Sequence, residues 1–402
     1  MRNFLRAFVT AAITSTICVV NAANLHAATA HYVVTNDDVK GLNTVTFYLA
    51  GGTSSAPKLT RFKTVKTGGT GLGGGYFGIA RQALVSDGKD ECVFAADGAS
   101  NDIAGVILQT QRVVGNFKGS GTDIDGSGGM GLTARPDGQY LYAAFSGSST
   151  IATFKVGAGC TLSFVSDVSS VGLNNGFPHG MVTRGNILVV AYGDGSIASF
   201  NISSGAPVSN NDLQLSTGYT KDGVFPDGVD ISKDGHFAIF GDASAGFSEV
   251  EVSDISSGKL SKTVKYGGSS HTLGKGRAAN NVWLSPDETL LYVSDNLSGQ
   301  VTAAYFNKTS GKLVFGCISK PLKGFGSKWG FSSAIASETA SGTGSAVWVA
   351  EDSLGGGPSS IGIVDVRSQG GKCTLAESPK SPAADPKSVN LCWLNAFPAR
   401  PF

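Results

Sequence analysis

Two of the five histidines in this 402-residue chain stand where a base would be useful. His179 follows Pro178 at the opening of an apolar run, and His271 precedes Lys275 and Arg277 in a glycine-rich stretch. Imidazole titrates near neutrality and can take a proton from water. A nearby cation can hold the negative charge that builds on an oxygen during the attack. His179 is therefore the candidate base, with Arg277 and Lys275 as its cationic partners. The competing reading is a hydrogen-bonded loop histidine beside solvated charges.

A second set recurs. Asn36, Asp97, Asp242, Asp295 and Glu351 each end a run of apolar residues, whereas Phe145 and Tyr192 stand at that level in two related stretches. Side chains of this kind, gathered around one opening, would form a partly acidic collar for a cation or for sugar hydroxyls. Alternatively, each binds the backbone of its own turn, as Asp and Asn commonly do. His271 and Trp329 are further ligand-binding candidates. Tyr76, Phe177, Phe225 and Phe325 are either exposed contact residues or packing plugs.

Other chemistries lack their residues. The run Asp123-Ile-Asp-Gly-Ser-Gly starts like a calcium loop, but Ala134 stands where the bidentate acid is needed. No Gly-Lys-Ser/Thr completes a phosphate loop, no G-x-S-x-G elbow appears, and no CxxC pair suggests zinc. No metal or cofactor is expected. A net charge of +1 gives no reason to expect nucleic acid as a partner.

The elements that must position these residues are repetitive. The stretches beginning at Gly78, Gly131, Gly180, Gly228 and Asn281 share one plan. A short apolar strand turns at a polar pair such as Asp137-Gly138, Asp234-Gly235 or Asp287-Glu288. A second, nearly continuous apolar strand follows, then a Gly/Asp/Ser turn and a third strand. The Asp-Gly pairs predict two-residue hairpins with both residues at positive φ. Continuous apolar second strands predict burial on both faces. The alternation Ile151, Thr153, Lys155 places third strands nearer the rim. Degenerate copies at His31-Tyr-Val-Val and Gly344-Ser-Ala-Val bring the count to seven, with second strands 47 to 61 residues apart.

This pattern predicts an all-β chain, a seven-bladed β-propeller closed by N- and C-terminal strands in one blade. The first copy lacks its innermost strand, and residues 388–397 are left over to supply it, which removes exposed sheet edges. The long loops between blades carry the candidate residues and fall on one face with the turns between second and third strands.

Residues 1–30 have the shape of a secretory signal: Arg2 and Arg6, an apolar run from Ala7 to Val20, and Ala28-Thr29-Ala30. Residues 31–402 are then one exported domain, secreted or periplasmic, with no membrane span after cleavage and monomeric. Cys18 leaves with the signal. Cys92, Cys160, Cys317, Cys373 and Cys392 remain, predicting one or two disulfides and a free thiol, with Cys373 and Cys392 close enough in sequence to staple the C-terminus. Sequons stand at Asn201, Asn296 and Asn307.

Tyr32-Val-Val-Thr-Asn-Asp, Arg135-Pro-Asp-Gly-Gln-Tyr-Leu-Tyr and Ser285-Pro-Asp-Glu-Thr-Leu-Leu-Tyr-Val-Ser-Asp-Asn resemble the YVTN/lactonase-like propellers, which include 6-phosphogluconolactonase and carboxymuconate-cyclising enzymes. The resemblance covers nearly the whole mature chain and implies hydrolysis of a small lactone or carbohydrate acid. His179 would be the base toward water, and Arg277 with Lys275 would stabilise charge on the lactone oxygen. The enzymes' Gly-Pro-Arg-His run corresponds here to Gly276-Arg277-Ala278-Ala279, which keeps the arginine and lacks the histidine. A non-catalytic propeller that binds a protein or a glycan is the other reading.

Overall fold

The computed structural model describes residues 31–53, 55–73, 82–86, 90–121, 130–170, 172, 176, 178–215, 228–242, 247–324, 330–340, 344–353, 359–369, 372–385 and 393–397. Seven antiparallel sheets form a ring. The third blade shows the plan: Gly131–Ala134 innermost, then Tyr140–Phe145, Thr150–Gly157 and Thr161–Ser169 outermost. Innermost strands of neighbouring blades touch all the way around.

Closure is the predicted one. Trp393–Phe397 pairs antiparallel with Tyr32–Asn36, and Val34 faces Asn395. The same strand Tyr32–Asn36 pairs on its other side with Gly41–Thr53, so the two ends of the chain complete the first blade. Residues 388–392 and the segment 1–30 lie outside the described residues.

Seven apolar clusters fill the seven seams between blades, and the alternation of side chains along each second strand builds them. In Tyr140–Phe145, Leu141, Ala143 and Phe145 pack toward the second blade with Phe94 and Ile103, while Tyr142 and Ala144 pack toward the fourth with Leu188 and Phe200. In Ile187–Tyr192, Leu188, Val190 and Tyr192 face back toward the third blade, and Ile187, Val189 and Ala191 face forward toward Phe240 of the fifth. Both faces are covered, so a continuous apolar run is what such a strand requires. At the closing seam Leu394 joins Val33, Tyr48 and Trp348, all buried. Each such side chain contributes roughly 1.5–3 kcal/mol of burial.

Third strands are mostly buried: Asp102–Ile107 is buried throughout and Thr153 is fully enclosed, while Lys155 in Thr150–Gly157 is exposed. Exposure grows toward the rim, as in the fourth strand Ser261–Gly267. One expectation is corrected: the hairpins use a different turn. Gly138 N donates to Arg135 O, Gly235 N to Ser232 O and Glu288 N to Ser285 O, each at 2.8 Å. Gly138, Gly235 and Glu288 take positive φ (71°, 72° and 56°), while Asp137, Asp234 and Asp287 do not. Each aspartate instead accepts from the backbone two residues on, at Gln139, His236 and Thr289. Arg135 N also bonds Tyr140 O, as Ser232 N does Phe237 O and Ser285 N does Leu290 O, so each loop is a four-residue alternative to the two-residue hairpin, with one left-handed residue.

Two disulfides cross seams. Cys92 of the second blade bonds Cys160 of the third, and Cys317 of the sixth bonds Cys373 of the seventh. Cys373 is thus committed to Cys317 and not to Cys392, which lies outside the described residues. Packing of the sixth blade against the seventh brings their outermost strands Leu313–Ile318 and Lys372–Glu377 side by side, with a Cα separation of 5.5 Å at the cysteines.

Candidate functional site

Among the described residues, the segments leading into the second, sixth and seventh blades lie on turns between second and third strands, so both share one face. Entering the second blade, Ala99 N donates to Thr70 O (3.0 Å) and Thr70 N donates to Ser100 Oγ (2.9 Å). Entering the sixth, Asn296 N bonds Ala278 O (2.7 Å) and Leu297 N bonds Arg277 O (3.1 Å). Entering the seventh, Leu322 N bonds Gly299 O of the preceding blade (2.8 Å).

Beneath these loops lie the acidic positions. Asn36, Asp97, Asp242, Asp295 and Glu351 are all buried. Asp97 accepts from Asn43 Nδ2 (2.7 Å), Thr67 Oγ1 (2.8 Å) and Asn116 Nδ2 (3.1 Å). Asn43 also donates to Asn36 Oδ1 (2.8 Å), and Asn36 Nδ2 reaches Ala96 O of the second blade (2.8 Å). Asn36 and Asp97 are therefore brought together in one network across the first seam. Asp295 accepts from Thr302 Oγ1 (2.6 Å), and Glu351 from Ser360 Oγ (2.9 Å).

A glycine of the segment leading into the blade covers each of three carboxylates: Gly69 near the end of the strand Ala56–Gly71, and Gly276 and Gly324 in loops. A Cβ on Gly69, Gly276 or Gly324 would collide with Asp97, Asp295 or Glu351 respectively. Where the third and fourth blades carry Phe145 and Tyr192 instead, Gly121 and Gly172 press on those rings. The glycines of the interblade loops thus let the backbone approach the end of each second strand. Burial is the main cause that pushes the carboxyls of Asp97, Asp295 and Glu351 up to about 7; the hydroxyl and amide donors pull the other way. These side chains are internal hydrogen-bonding posts of the blades. Among the described residues, no three His, Cys, Asp or Glu side chains gather as a metal-binding group.

The candidate base is placed differently. His179 lies in Pro178–Arg184, the inner strand of the fourth blade, and is buried. The register with Ile187–Tyr192 shifts between Pro178 and Met181, so His179 and Gly180 occupy a bulge at the loop end of the inner strand. Bulges re-aim side chains and are frequent beside active sites. Gly131 of the third blade packs on the His179 carbonyl, and Ser146 Oγ donates to Pro178 O (3.2 Å), which fixes this corner. The inner strand of the sixth blade shifts register in the same way between Ala279 and Asn281. Asn280, buried and bonded by Asn281 Nδ2 (2.6 Å), occupies the position corresponding to His179. Sequence reasoning passed over Asn280, because a bulge has no residue signature there; the run Ala278-Ala279-Asn280-Asn281 was its only trace.

Lys275, Arg277 and His271 are exposed on the loop entering the sixth blade, with the fifth blade between them and His179. His271 takes a left-handed backbone (φ 52°), and its ring meets Phe247 edge-on at 5.0 Å. Ser298 Oγ accepts from Arg277 N at 3.3 Å. Trp329, Tyr76, Phe177, Phe225, Phe325 and the Asp123 loop lie outside the described residues. Asn201 ends the third strand Ser196–Asn201 and Asn307 directly follows the third strand Gln300–Phe306; each caps its own turn, accepting from Ser203 N (2.9 Å) and Thr309 N (3.0 Å) respectively. Asp254 makes the same bond to Ser256 N at the equivalent place in the fifth blade, so these two sequons coincide with a turn motif.

No family model matches the sequence, and no curated protein matches it. Solved structures do match its fold. The periplasmic gluconolactonase of Pseudomonas aeruginosa superposes with a TM-score of 0.62 at 14% identity, over 88% of this chain and 98% of the other. A Bacteroides uniformis protein provisionally assigned as a 6-phosphogluconolactonase gives 0.64 at 12%, over 92% and 100%. A Lactobacillus plantarum protein gives 0.63 at 14%, over 91% and 98%. The chain shares the seven-bladed propeller fold of these structures. At such identities the likeness concerns the fold alone.

Proposed function

We propose that this chain is an extracytoplasmic hydrolase of small lactones, working on the face made by the interblade loops. The observation that carries this reading is the bulge at Pro178–Met181, which sets His179 at the loop end of an inner strand. His179 takes a proton from water as the water oxygen attacks the lactone carbonyl carbon. The ring C–O bond then breaks, and the proton returns to the departing ring oxygen, giving a hydroxy acid. Arg277 and Lys275 supply positive charge to the substrate at the rim. The gluconolactonase and phosphogluconolactonase names of the neighbouring structures support the substrate class. Two disulfides across seams support an oxidising compartment.

The test is hydrolysis of a panel of aldonolactones, phosphorylated and not, by the purified chain. His179→Ala is expected to lower the rate roughly 100-fold or more, and Arg277→Ala to weaken it less. Wild-type rates at background, or an unaffected His179→Ala, end this reading.

A second reading, a non-catalytic propeller that binds an anionic glycan or a protein, is favoured by the exposed Phe247–His271 pair beside Lys275 and Arg277. Glycan-array binding that is lost in Phe247→Ala would support it, and an empty array would remove it.

A further inference from the structure

The sealing of the ring brings together two carboxyl groups from opposite ends of the chain. Asp37 directly follows Tyr32–Asn36, and Asp385 ends the short strand Ala383–Asp385 of the seventh blade. Both are fully buried. One hydroxyl links them: Thr35 Oγ1 lies 2.7 Å from Asp37 Oδ1 and 3.3 Å from Asp385 Oδ2. Thr44 and Thr46 donate to the other oxygen of Asp37 at 2.6 and 2.7 Å. Two further bonds sew the same seam: Tyr48 Oη to Ala384 O (3.5 Å) and Ser378 Oγ to Pro57 O (2.6 Å).

The surrounding groups can be named element by element. Gly41–Thr53 contributes Tyr48, whose hydroxyl is pushed up by burial and then by Asp385 and Asp37. Ala56–Gly71 contributes Arg61, which donates to Thr64 (2.9 Å), and Lys63, which donates to Thr110 O (3.3 Å). Asp38 turns its Oδ1 to Leu72 N (2.8 Å). On Ser359–Gln369, Asp365 pairs with Arg367 (2.7 Å). The closing strand Trp393–Phe397 carries no titratable side chain.

We propose that Asp37 and Asp385 form a proton-operated latch on the ring: with Asp37 protonated the seam is sealed, and with both carboxyls ionised their repulsion releases Trp393–Phe397 from Tyr32–Asn36. Two like charges bridged by one hydroxyl in a buried site cannot both persist cheaply. Burial, and then the charge of Asp385, raise the Asp37 carboxyl well above the usual range, so the folded chain keeps this proton where an unfolded one loses it. The seam is therefore tightest in acid and weakens as pH rises through the folded-state titration of Asp37. The location suits a latch. Disulfides hold the second blade to the third and the sixth to the seventh, whereas the closing strand is held to the first blade by strand pairing and packing.

Hydrogen exchange of the full chain at pH 6 and pH 9, with labelling times scaled for intrinsic exchange, reads the latch directly. Exchange in 393–397 is expected to rise about tenfold or more relative to Val229–Ile231 of the fifth blade, one pH unit of linkage being a factor of ten. Asp37→Asn and Asp385→Asn, which keep the hydrogen-bonding shape without the charge, should each flatten this response. Either variant suffices if the other does not fold. Three results overturn the proposal: equal protection at both pH values in the wild type, a rise spread evenly over all blades, or a seam-specific rise that persists in the Asn variants.

Discussion

Gly276 lies against the carboxylate of Asp295, so close that no Cβ fits at position 276. The glycine belongs to the loop arriving from the fifth blade, and the aspartate ends the second strand of the sixth. The same relationship joins Gly69 to Asp97 and Gly324 to Glu351. Backbone and carboxyl meet without a side chain between them at these three places on the loop face.

Filling that space should be costly. Gly276→Ala must push the loop or the carboxyl aside, and it is expected to destabilise by about 1–3 kcal/mol, the usual penalty for overpacking. Gly51→Ala, where a Cβ meets nothing within 4 Å, serves as the control and should change stability by about 0.5 kcal/mol or less. Denaturant midpoints of the two variants decide the matter; equal midpoints would mean that the cap is loose.

The buried carboxyls set an unusual pH profile. Asp97, Asp295 and Glu351 have folded-state values of about 7, raised above unfolded values of about 4. Between those limits the folded chain binds more protons than the unfolded one. Their contribution is fully present below about pH 4, falls as pH rises, and is gone above about pH 7. Asp295→Asn, with an amide oxygen still able to accept from Thr302, should raise stability at pH 8 and reduce the slope between pH 4 and 7. Thermal unfolding at four or five pH values measures both effects.

The disulfide assignment makes a mapping prediction. Peptides recovered without reduction should contain Cys92 with Cys160 and Cys317 with Cys373. Removing either bridge should cost roughly 2–5 kcal/mol. Recovery of a Cys373–Cys392 peptide in place of Cys317–Cys373 would contradict the packing of the sixth blade on the seventh.

Ring closure can be cut directly. A chain ending at residue 392 loses the partner of Tyr32–Asn36 and leaves Val33 and Trp348 without Leu394. Exposed strand edges associate. The shortened chain is therefore expected to unfold at lower denaturant concentration and to aggregate near neutral pH, as followed by light scattering. Stability equal to that of the full chain would show that the closing strand contributes little.

Much of the fold was legible because its signals are local. Asp137-Gly138 next to Leu141–Phe145 specifies a hairpin and a strand buried on both faces from a dozen residues, and sevenfold recurrence with a spare tail specifies a closed ring. Even the error about the turn was local, since Asp137 and Gly138 were the right residues in a neighbouring turn type. The site was less legible. Asn36, Asp97, Asp242, Asp295 and Glu351 were found by recurrence, but whether they face an opening or a seam depends on a glycine arriving from another blade.

The sequence by itself determined the number of sheets, the order of strands within them and the joining of the two ends, because hairpin geometry and alternating burial are written within each repeat. Only the tertiary structure decided that Cys317 meets Cys373, that Asp37 meets Asp385, and that His179 sits in a bulge two blades from Arg277. Those facts depend on how neighbouring blades are set against each other. Partners some fifty to several hundred residues apart meet through that packing, and no local pattern encodes it.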